Sequence, residues 1–328
     1  MKSILIIGGA GYIGSHQVKV MCDKGYEVIV FDNLITGYEY AIDKRAKFIK
    51  GDLRDYDLVT KLFVDNKIDG VIHFAALSLV AESVDKPIDY FDNNVGGMQV
   101  LLKVMIEQDI KNLVFSSTAA TYGTHKQMPI TEEYETNPES PYGQSKLIME
   151  QMIKWVSKAH GLNYYSLRYF NVCGADFDKE IGENHNPETH LIPIVLQVPL
   201  GQREYISIYG DDYETPDGTC IRDYIHVLDL VDAHILALNN LFEGKESNIL
   251  NLGYGHGYSV MEIIESAIKV TNHPIPQKVE KRRSGDPASL VSSNSKAKQI
   301  LNWKPKYDDI ELIIKSAYDY HSRKINDN

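Results

Sequence analysis

The sequence predicts an α/β fold: a doubly wound parallel sheet covered by helices on both faces, with a second, smaller α/β domain. Three observations carry this. Short, continuous Val/Ile/Phe runs alternate with helical patterns through the first half of the chain. Runs without polar alternation read as strands buried on both faces, which parallel sheets with crossover helices provide. A glycine-rich turn directly follows the first run, and after about Cys173 the alternation loosens into Pro/Gly/Asp-rich loops such as NHNPETH and GDDYETPDG.

In order, SILII (3–7) is the first strand. MKSILIIGG resembles the start of a signal peptide, but its apolar stretch runs only from Ile4 to Ile7 and no small-residue cleavage site follows. A helix is expected near 12–24, then the strands EVIVFD (27–32) and KFIKG (47–51), and a helix near 55–66. GVIHFAA (70–76), a helix near 87–107, NLVFSS (112–117), a helix near 141–160 and YYSLRYF (164–170) complete the alternation. The expected division is 1–172 and 173–328, with RDYIHV (222–227) and NILNLG (248–253) returning to the sheet.

No apolar run approaches the ~20 residues of a membrane span, so no membrane association is expected. A formal charge of −11 argues against a nucleic-acid partner, which basic surface would attract, while allowing one nucleotide held by a few arginines. Cys22, Cys173 and Cys220 are an odd number without metal-ligand spacing, which fits a reducing cytoplasm.

GGAGYIG (8–14) follows the first strand and opens the first helix. Gly8, Gly11 and Gly14 permit a tight turn, close approach of a pyrophosphate, and close helix–strand packing; free helix N–H groups then face the phosphates. Tyr12 and Ile13 lie within this cradle. Asp32 ends the second strand 18 residues past Gly14, where a carboxylate accepts from a ribose 2′-hydroxyl. A carboxylate repels a 2′-phosphate and Asn33-Leu34 supplies no arginine, so the expected cofactor is NAD rather than NADP, on a Rossmann-type sheet. Asn33 and Thr36 are taken as flanking contacts.

Tyr142 and Lys146 are four apart on a helix opened by Ser140-Pro141, an N-cap followed by Pro at the first helical position. That spacing puts both on one face. Lowering a phenol from its usual ~10 toward 7 requires about 4 kcal/mol. An ammonium at about 4 Å in an effective dielectric of 20 supplies about that much. Y-x-x-x-K is thus minimal equipment for a phenolate that takes a hydroxyl proton while NAD takes a hydride. SSTAATYG (116–123) places hydroxyls at a strand's C-terminal end, where open α/β sheets bind ligands. Gly143 costs roughly 1 kcal/mol in a helix and is expected to leave room for the cofactor.

GGAGYIGS, FDNL, GDLRD, HFAA, NNV, FSSTAATYG, PYGQSK, RYFN, GDDYETPDGTCIRDYIHV and RRSGDP together resemble the UDP-glucose (galactose) 4-epimerase family of extended short-chain dehydrogenases, in order from residue 4 to beyond 300. The resemblance implies a tightly held NAD, reduced and reoxidised within each turnover. Tyr142 takes the proton of the sugar 4-hydroxyl, Lys146 holds the nicotinamide ribose and tunes Tyr142, and Thr118 hydrogen-bonds the same hydroxyl. The 4-keto sugar then swings about its pyrophosphate and receives the hydride on its other face. Asp52 and Leu53 match adenine contacts, Phe74, Ala75 and Ala76 the strand end beside the dinucleotide, and Asn93 and Phe170 further cofactor positions. Asn171, Leu191, Tyr209, Arg222, Arg283 and Asp286 fall where the family holds UDP. There arginines bind the diphosphate, an aromatic ring covers uracil, and Asp286 meets a ribose or uridine hydroxyl. A homodimer through the helices near 87–107 and 141–160 is also implied.

Two positions depart from the family. Ser78 stands where many members carry Lys. Leu290 stands where a tyrosine narrows the sugar pocket in some members, so its smaller side chain predicts acceptance of UDP-N-acetylhexosamines.

Other residues carry plainer expectations. His73 reads as a hydrogen-bonded structural histidine, Cys173 as packing, and Asp211, Asp212 and Asp217 as a solvated loop without EF-hand spacing. His185 and His190 lack a third ligand at convincing spacing, so no metal is expected and GENHNPETH reads as a loop flanking the substrate. Among rival activities, a 4,6-dehydratase would need a carboxylate beside the threonine, and Ala119-Ala120 supply none. A keto-product dehydrogenase or decarboxylase would accumulate NADH. A non-catalytic NAD sensor would have no need of Tyr142, Lys146 and Thr118 together.

Overall fold

The computed structural model describes residues 1–283 and 286–326, so the Ser284-Gly285 part of RRSGDP lies outside the described residues. The first half runs β1 (Ser3–Ile7), α1 (Tyr12–Asp23), β2 (Glu27–Asp32), β3 (Lys47–Lys50), α2 (Tyr56–Asp65), β4 (Gly70–His73), α3 (Val80–Asp85) and α4 (Pro87–Tyr90). It continues with α5 (Gly97–Glu107), β5 (Asn112–Thr118), α6 (Pro141–His160) and β6 (Asn163–Tyr169). Then come β7 (Asn171–Cys173), α7 (Leu191–Leu196), β8 (Ile206–Tyr209), β9 (Ile221–Arg222), β10 (Tyr224–His226), α8 (Val227–Phe242) and β11 (Asn248–Leu252). The chain closes with β12 (Tyr258–Ser259), α9 (Val260–Thr271), β13 (Gln277–Glu280), β14 (Ser289–Leu290), α10 (Ser295–Leu301) and α11 (Ile310–Asn326).

The large sheet has the order β11-β6-β5-β4-β1-β2-β3, and every pair among β1–β6 is parallel. Alternate strand residues bury opposite faces. Leu5, Ile7, Phe31, Val71 and Phe115 pack with Val59 and Leu62 of α2, Met98 and Leu101 of α5, and Met149 and Ile153 of α6. Their neighbours Ile4, Ile6, Val30, Ile72 and Val114 are equally inaccessible, which is why these strands are continuous apolar runs. The order of connections reverses at β1 and β4, the topological switch point where such sheets bind ligands.

The helix expected near 87–107 is interrupted: a π-helical segment, Phe91–Gly96, separates α4 from α5. α6 forms as its ends dictate. Ser140 Oγ accepts from Gly143 N, Pro141 opens the first turn, and Gly161 stops the helix at φ 69°.

Two compact units emerge. One comprises 1–124, 132–169 and 231–250; the other comprises 125–131, 170–230 and 251–328. In the second, β7 pairs with β10, β8 with β13, and β9 lies between β12 and β14. NILNLG returns to the large sheet as β11, beside β6. RDYIHV does not, because its two short strands hydrogen-bond to β7, β12 and β14 instead.

Candidate active site

The glycine turn is built by exclusion. Gly8 sits at φ 81°, and a Cβ on it would lie 2.5 Å from Ala75 N; one on Gly14 would lie 2.1 Å from Gly8 O. A Cβ on Gly11 would meet nothing nearer than Gly8 O at 3.5 Å, so the cradle is open where a phosphate must approach. α1 has no side-chain cap at Gly11 and no acidic residue in its first turn, leaving Tyr12, Ile13 and Gly14 N–H groups suited to an anion. Asp32 closes the far side. Its Oδ2 accepts from Ala10 N at 3.0 Å and its Oδ1 from Leu34 N at 2.8 Å, holding Leu34 at φ 63°. Each oxygen keeps a lone pair for a ribose hydroxyl. Thr36 is exposed beyond it.

Asp52 is paired bidentately with Arg54, whose hydrogen bonds outweigh burial and lower the carboxyl to about 2; Asn33 donates to it at 3.3 Å. Leu53 packs beside Gly97. Phe74 and Ala75 both donate backbone N–H to Ile7 O, and the Phe74 ring lies 4.9 Å from that of His234. Ala76 follows, half-buried. Asn93, named from sequence, donates to Asn94, the buried residue that ties Leu77 N, Leu77 O and Ser145 Oγ together. These residues fit NAD: a cradle open at Gly11, uncapped N–H groups, and a carboxylate where a 2′-phosphate would be repelled.

At the end of β5, Thr118 hydrogen-bonds Tyr142, which favours the phenolate, while burial of the hydroxyl pushes its pKa up further than that bond lowers it. The Tyr142 side chain nonetheless keeps partial exposure, as a substrate-facing group requires. Lys146 is buried one helical turn beyond Tyr142. Its Nζ donates to Ser116 O at 2.8 Å, because a buried ammonium must satisfy its donors. Burial lowers it to about 7, opposed by Glu150. A Cβ on Gly143 would strike Ala120 O at 2.5 Å, so the glycine lets α6 close on the Ala119–Thr121 turn.

Sequence reasoning missed Glu150, one further helical step along the Tyr142/Lys146 face. It receives Ser117 Oγ and a bidentate Arg168, at 2.9 Å from Nε and 2.6 Å from the terminal guanidinium nitrogen, with both side chains at most 4% exposed. The same four-residue spacing was the available signal.

The UDP-assigned residues lie in the second unit. Arg222 pairs with Asp286 at 3.4 Å and donates to Ile221 O and Pro287 O, while Leu290 stands opposite it in the β14–β9 register. The Arg283 guanidinium lies 4.0 Å from the Tyr209 ring centroid. Asn171 donates its backbone N–H to Asp223 O, Phe170 donates to Leu252 O, and Leu191 opens α7. Asp223, also missed, is fully buried and accepts from Tyr254, Gly255 and Ser292, which anchors the strand carrying Arg222.

His73 is buried, packs against Phe115, and neither ring nitrogen finds a hydrogen-bond partner among the described residues, so it is structural without being hydrogen-bonded as expected. Burial and the Lys146 charge lower it to about 3. Burial pushes the Cys173 thiol well up, as suits a packing residue. Asp212 pairs with Arg282, and Asp217 binds Thr219 and the cap residue Ser259, so the loop is more ordered than a solvated acidic run. His185 and His190 have company: Glu183 and Glu188 converge on them. Although burial works to lower both imidazoles, those carboxylates raise His185 to about 9 and His190 to about 10.

Residues 4–253 match the NAD dependent epimerase/dehydratase family. The chain belongs to that family. Across it, a UDP-glucose 4-epimerase of Lacticaseibacillus casei is 54% identical, over 97% of this chain and 96% of that one. A crystal structure of a UDP-glucose 4-epimerase is 55% identical with a TM-score of 0.97, covering 99% of both chains. A UDP-glucose 4-epimerase from Bifidobacterium longum, in complex with NAD+ and UDP, is 41% identical with a TM-score of 0.94, again over 99% of both. The family's cofactor is NAD, as the cradle and Asp32 require. No helix among the described residues is long and apolar enough to cross a membrane.

Proposed function

We propose that this chain interconverts UDP-glucose and UDP-galactose through oxidation at sugar carbon 4, rotation of the 4-keto intermediate and re-reduction on the opposite face. The observation that carries the reading is the α6 face, which sets Tyr142 on Thr118 and Lys146 on the carbonyl of Ser116 at the end of β5. NAD, when bound, would supply a reversible hydride acceptor for C4. Gly8, Gly11, Tyr12, Ile13 and Gly14 hold its pyrophosphate, Asp32 a ribose, and Asp52 and Leu53 the adenine end. Tyr142 takes the proton of the 4-hydroxyl at its phenol oxygen and later gives it back, Thr118 orients that hydroxyl, and Lys146 holds the nicotinamide ribose while its charge tunes Tyr142. Asn171, Leu191, Tyr209, Arg222, Arg283 and Asp286 hold UDP, the arginines by guanidinium–phosphate contacts. For these, Arg222 must exchange part of its Asp286 pairing for phosphate.

Elimination of water is disfavoured because Ala119 and Ala120 place no carboxylate beside Thr118. The half-buried Leu290, on the strand paired with Arg222, supports acceptance of UDP-N-acetylhexosamines. We also read the chain as a cytoplasmic homodimer. All three cysteines are free, and α3, α4 and α6, which touch one another, expose Val80, Val84, Ile88 and Trp155. The test is to incubate purified protein, without added NAD, with UDP-galactose and with UDP-N-acetylgalactosamine and follow both 4-epimers. Turnover of the first is expected with no NADH released. Net NADH in solution would point to a dehydrogenase or decarboxylase, and inertness toward the second would dismiss the Leu290 argument.

A further inference from the structure

The loop ahead of α7 gathers four ligand-bearing side chains that the proposed reaction does not use. One atom from each of Glu183, His185, Glu188 and His190 lies within 4.8 Å of all the others. His185 Nδ1 is 3.1 Å from Glu183 Oε1 and 3.7 Å from Glu188 Oε2. His190 Nδ1 is 2.7 Å from Glu183 Oε1 and 3.2 Å from Glu188 Oε1. A tetrahedral ion with bonds of about 2.1 Å has ligand–ligand edges of about 3.4 Å, which these separations bracket.

The carboxylates are nearly enclosed, at 5% and 9% side-chain exposure. Two buried anions require positive charge between them. In the empty site protons on both imidazoles supply it, with the two rings 5.1 Å apart. One divalent ion supplies the same charge and lets both rings be neutral. The ligands are also held in place: Thr189 N and His190 N both donate to Glu188 Oε1, at 2.8 and 2.9 Å. Independently, a cavity of about 170 Å³ lined by His185 and Glu188 is also lined by His321 of α11, whose buried Nε2 finds no hydrogen-bond partner among the described residues.

We propose that Glu183, His185, Glu188 and His190 form a structural site for a divalent transition ion of the zinc class. Two imidazoles favour zinc, cobalt or nickel over magnesium or calcium, and four protein ligands leave no position for a reacting water. The ion would clip residues 183–190 immediately before Leu191.

The test uses tag-free, full-length protein with its bound NAD, stripped with a chelator and then titrated with Zn2+ or Co2+. One ion retained per chain after gel filtration is expected, with the visible d–d bands of tetrahedral Co2+ and a higher Tm. His185→Ala and His190→Ala are expected to weaken retention at least about tenfold, while His273→Ala, on the exposed His273, leaves it unchanged. Bound NAD and circular dichroism report that each variant is folded; should the alanines misfold, Glu188→Gln replaces them. Retention below a tenth of an equivalent, octahedral Co2+ spectra, or undiminished binding in the folded double histidine variant would each overturn the site.

Discussion

Tyr142 and Lys146 share a helical face yet differ in what surrounds them, and the difference is testable. Tyr142→Phe removes the phenol hydrogen-bonded by Thr118 and should cut turnover by about 10²–10⁴-fold while NAD stays bound, read by coupled assay and by cofactor extraction. Lys146 has a different signature. Its pKa falls from 10.5 to about 7 on folding, so between those values the unfolded chain holds a proton that the folded chain lacks. Stability should therefore rise with pH across that window, and the buried charge costs on the order of 4 kcal/mol at pH 7. Lys146→Met should flatten the rise in urea midpoints between pH 7 and 9 while abolishing turnover; an unchanged slope would refute the assignment. The pair was legible because a four-residue spacing fixes a shared helical face whatever the tertiary fold. The direction of Lys146 was not, because it depends on a carbonyl 30 residues away. Glu183 and Glu188 were equally hidden, since a loop imposes no period that would mark carboxylates as neighbours of His185 and His190.

α6 is held to the sheet by one buried ion pair as well as by its apolar face. Glu150 reaches Arg168 of β6 and Ser117 of β5, so the helix that carries Tyr142 is pinned to both strands beside it. Arg168→Met strands a buried carboxylate and is expected to destabilise by about 3–5 kcal/mol; adding Glu150→Leu should recover most of that loss in thermal melts. If the single substitution costs less than about 1 kcal/mol, the pair does not pin the helix. The first-half strands and helices were readable because burial on both faces leaves uninterrupted apolar runs. The break at Phe91–Gly96 was not, since widening one turn to the π pattern changes backbone pairing without demanding a special residue type. Asn94 uses that turn to reach Leu77 and Ser145, which explains why Asn94, and not Asn93, is the buried one. The small sheets of the second unit were hardest to foresee, because β9, β12 and β14 have two residues each and carry no periodicity.

For the molecule as a whole, Val84 of α3 and Ile88 of α4 are large apolar side chains exposed at 61% and 74%. Val84→Lys with Ile88→Lys should convert a dimer to a monomer in sedimentation velocity with its secondary structure intact; a wild-type monomer would remove the dimer reading. The alternation of the chain between its two units has another consequence, which concerns synthesis. Five crossings mean that neither unit is written in one continuous stretch. When β6 leaves the ribosome, its outer edge still lacks β11, about 80 residues further on. At 5–20 residues per second that is roughly 4–16 s during which the nascent sheet shows an unpaired strand. Chaperone demand should therefore peak before the last quarter of the chain is translated.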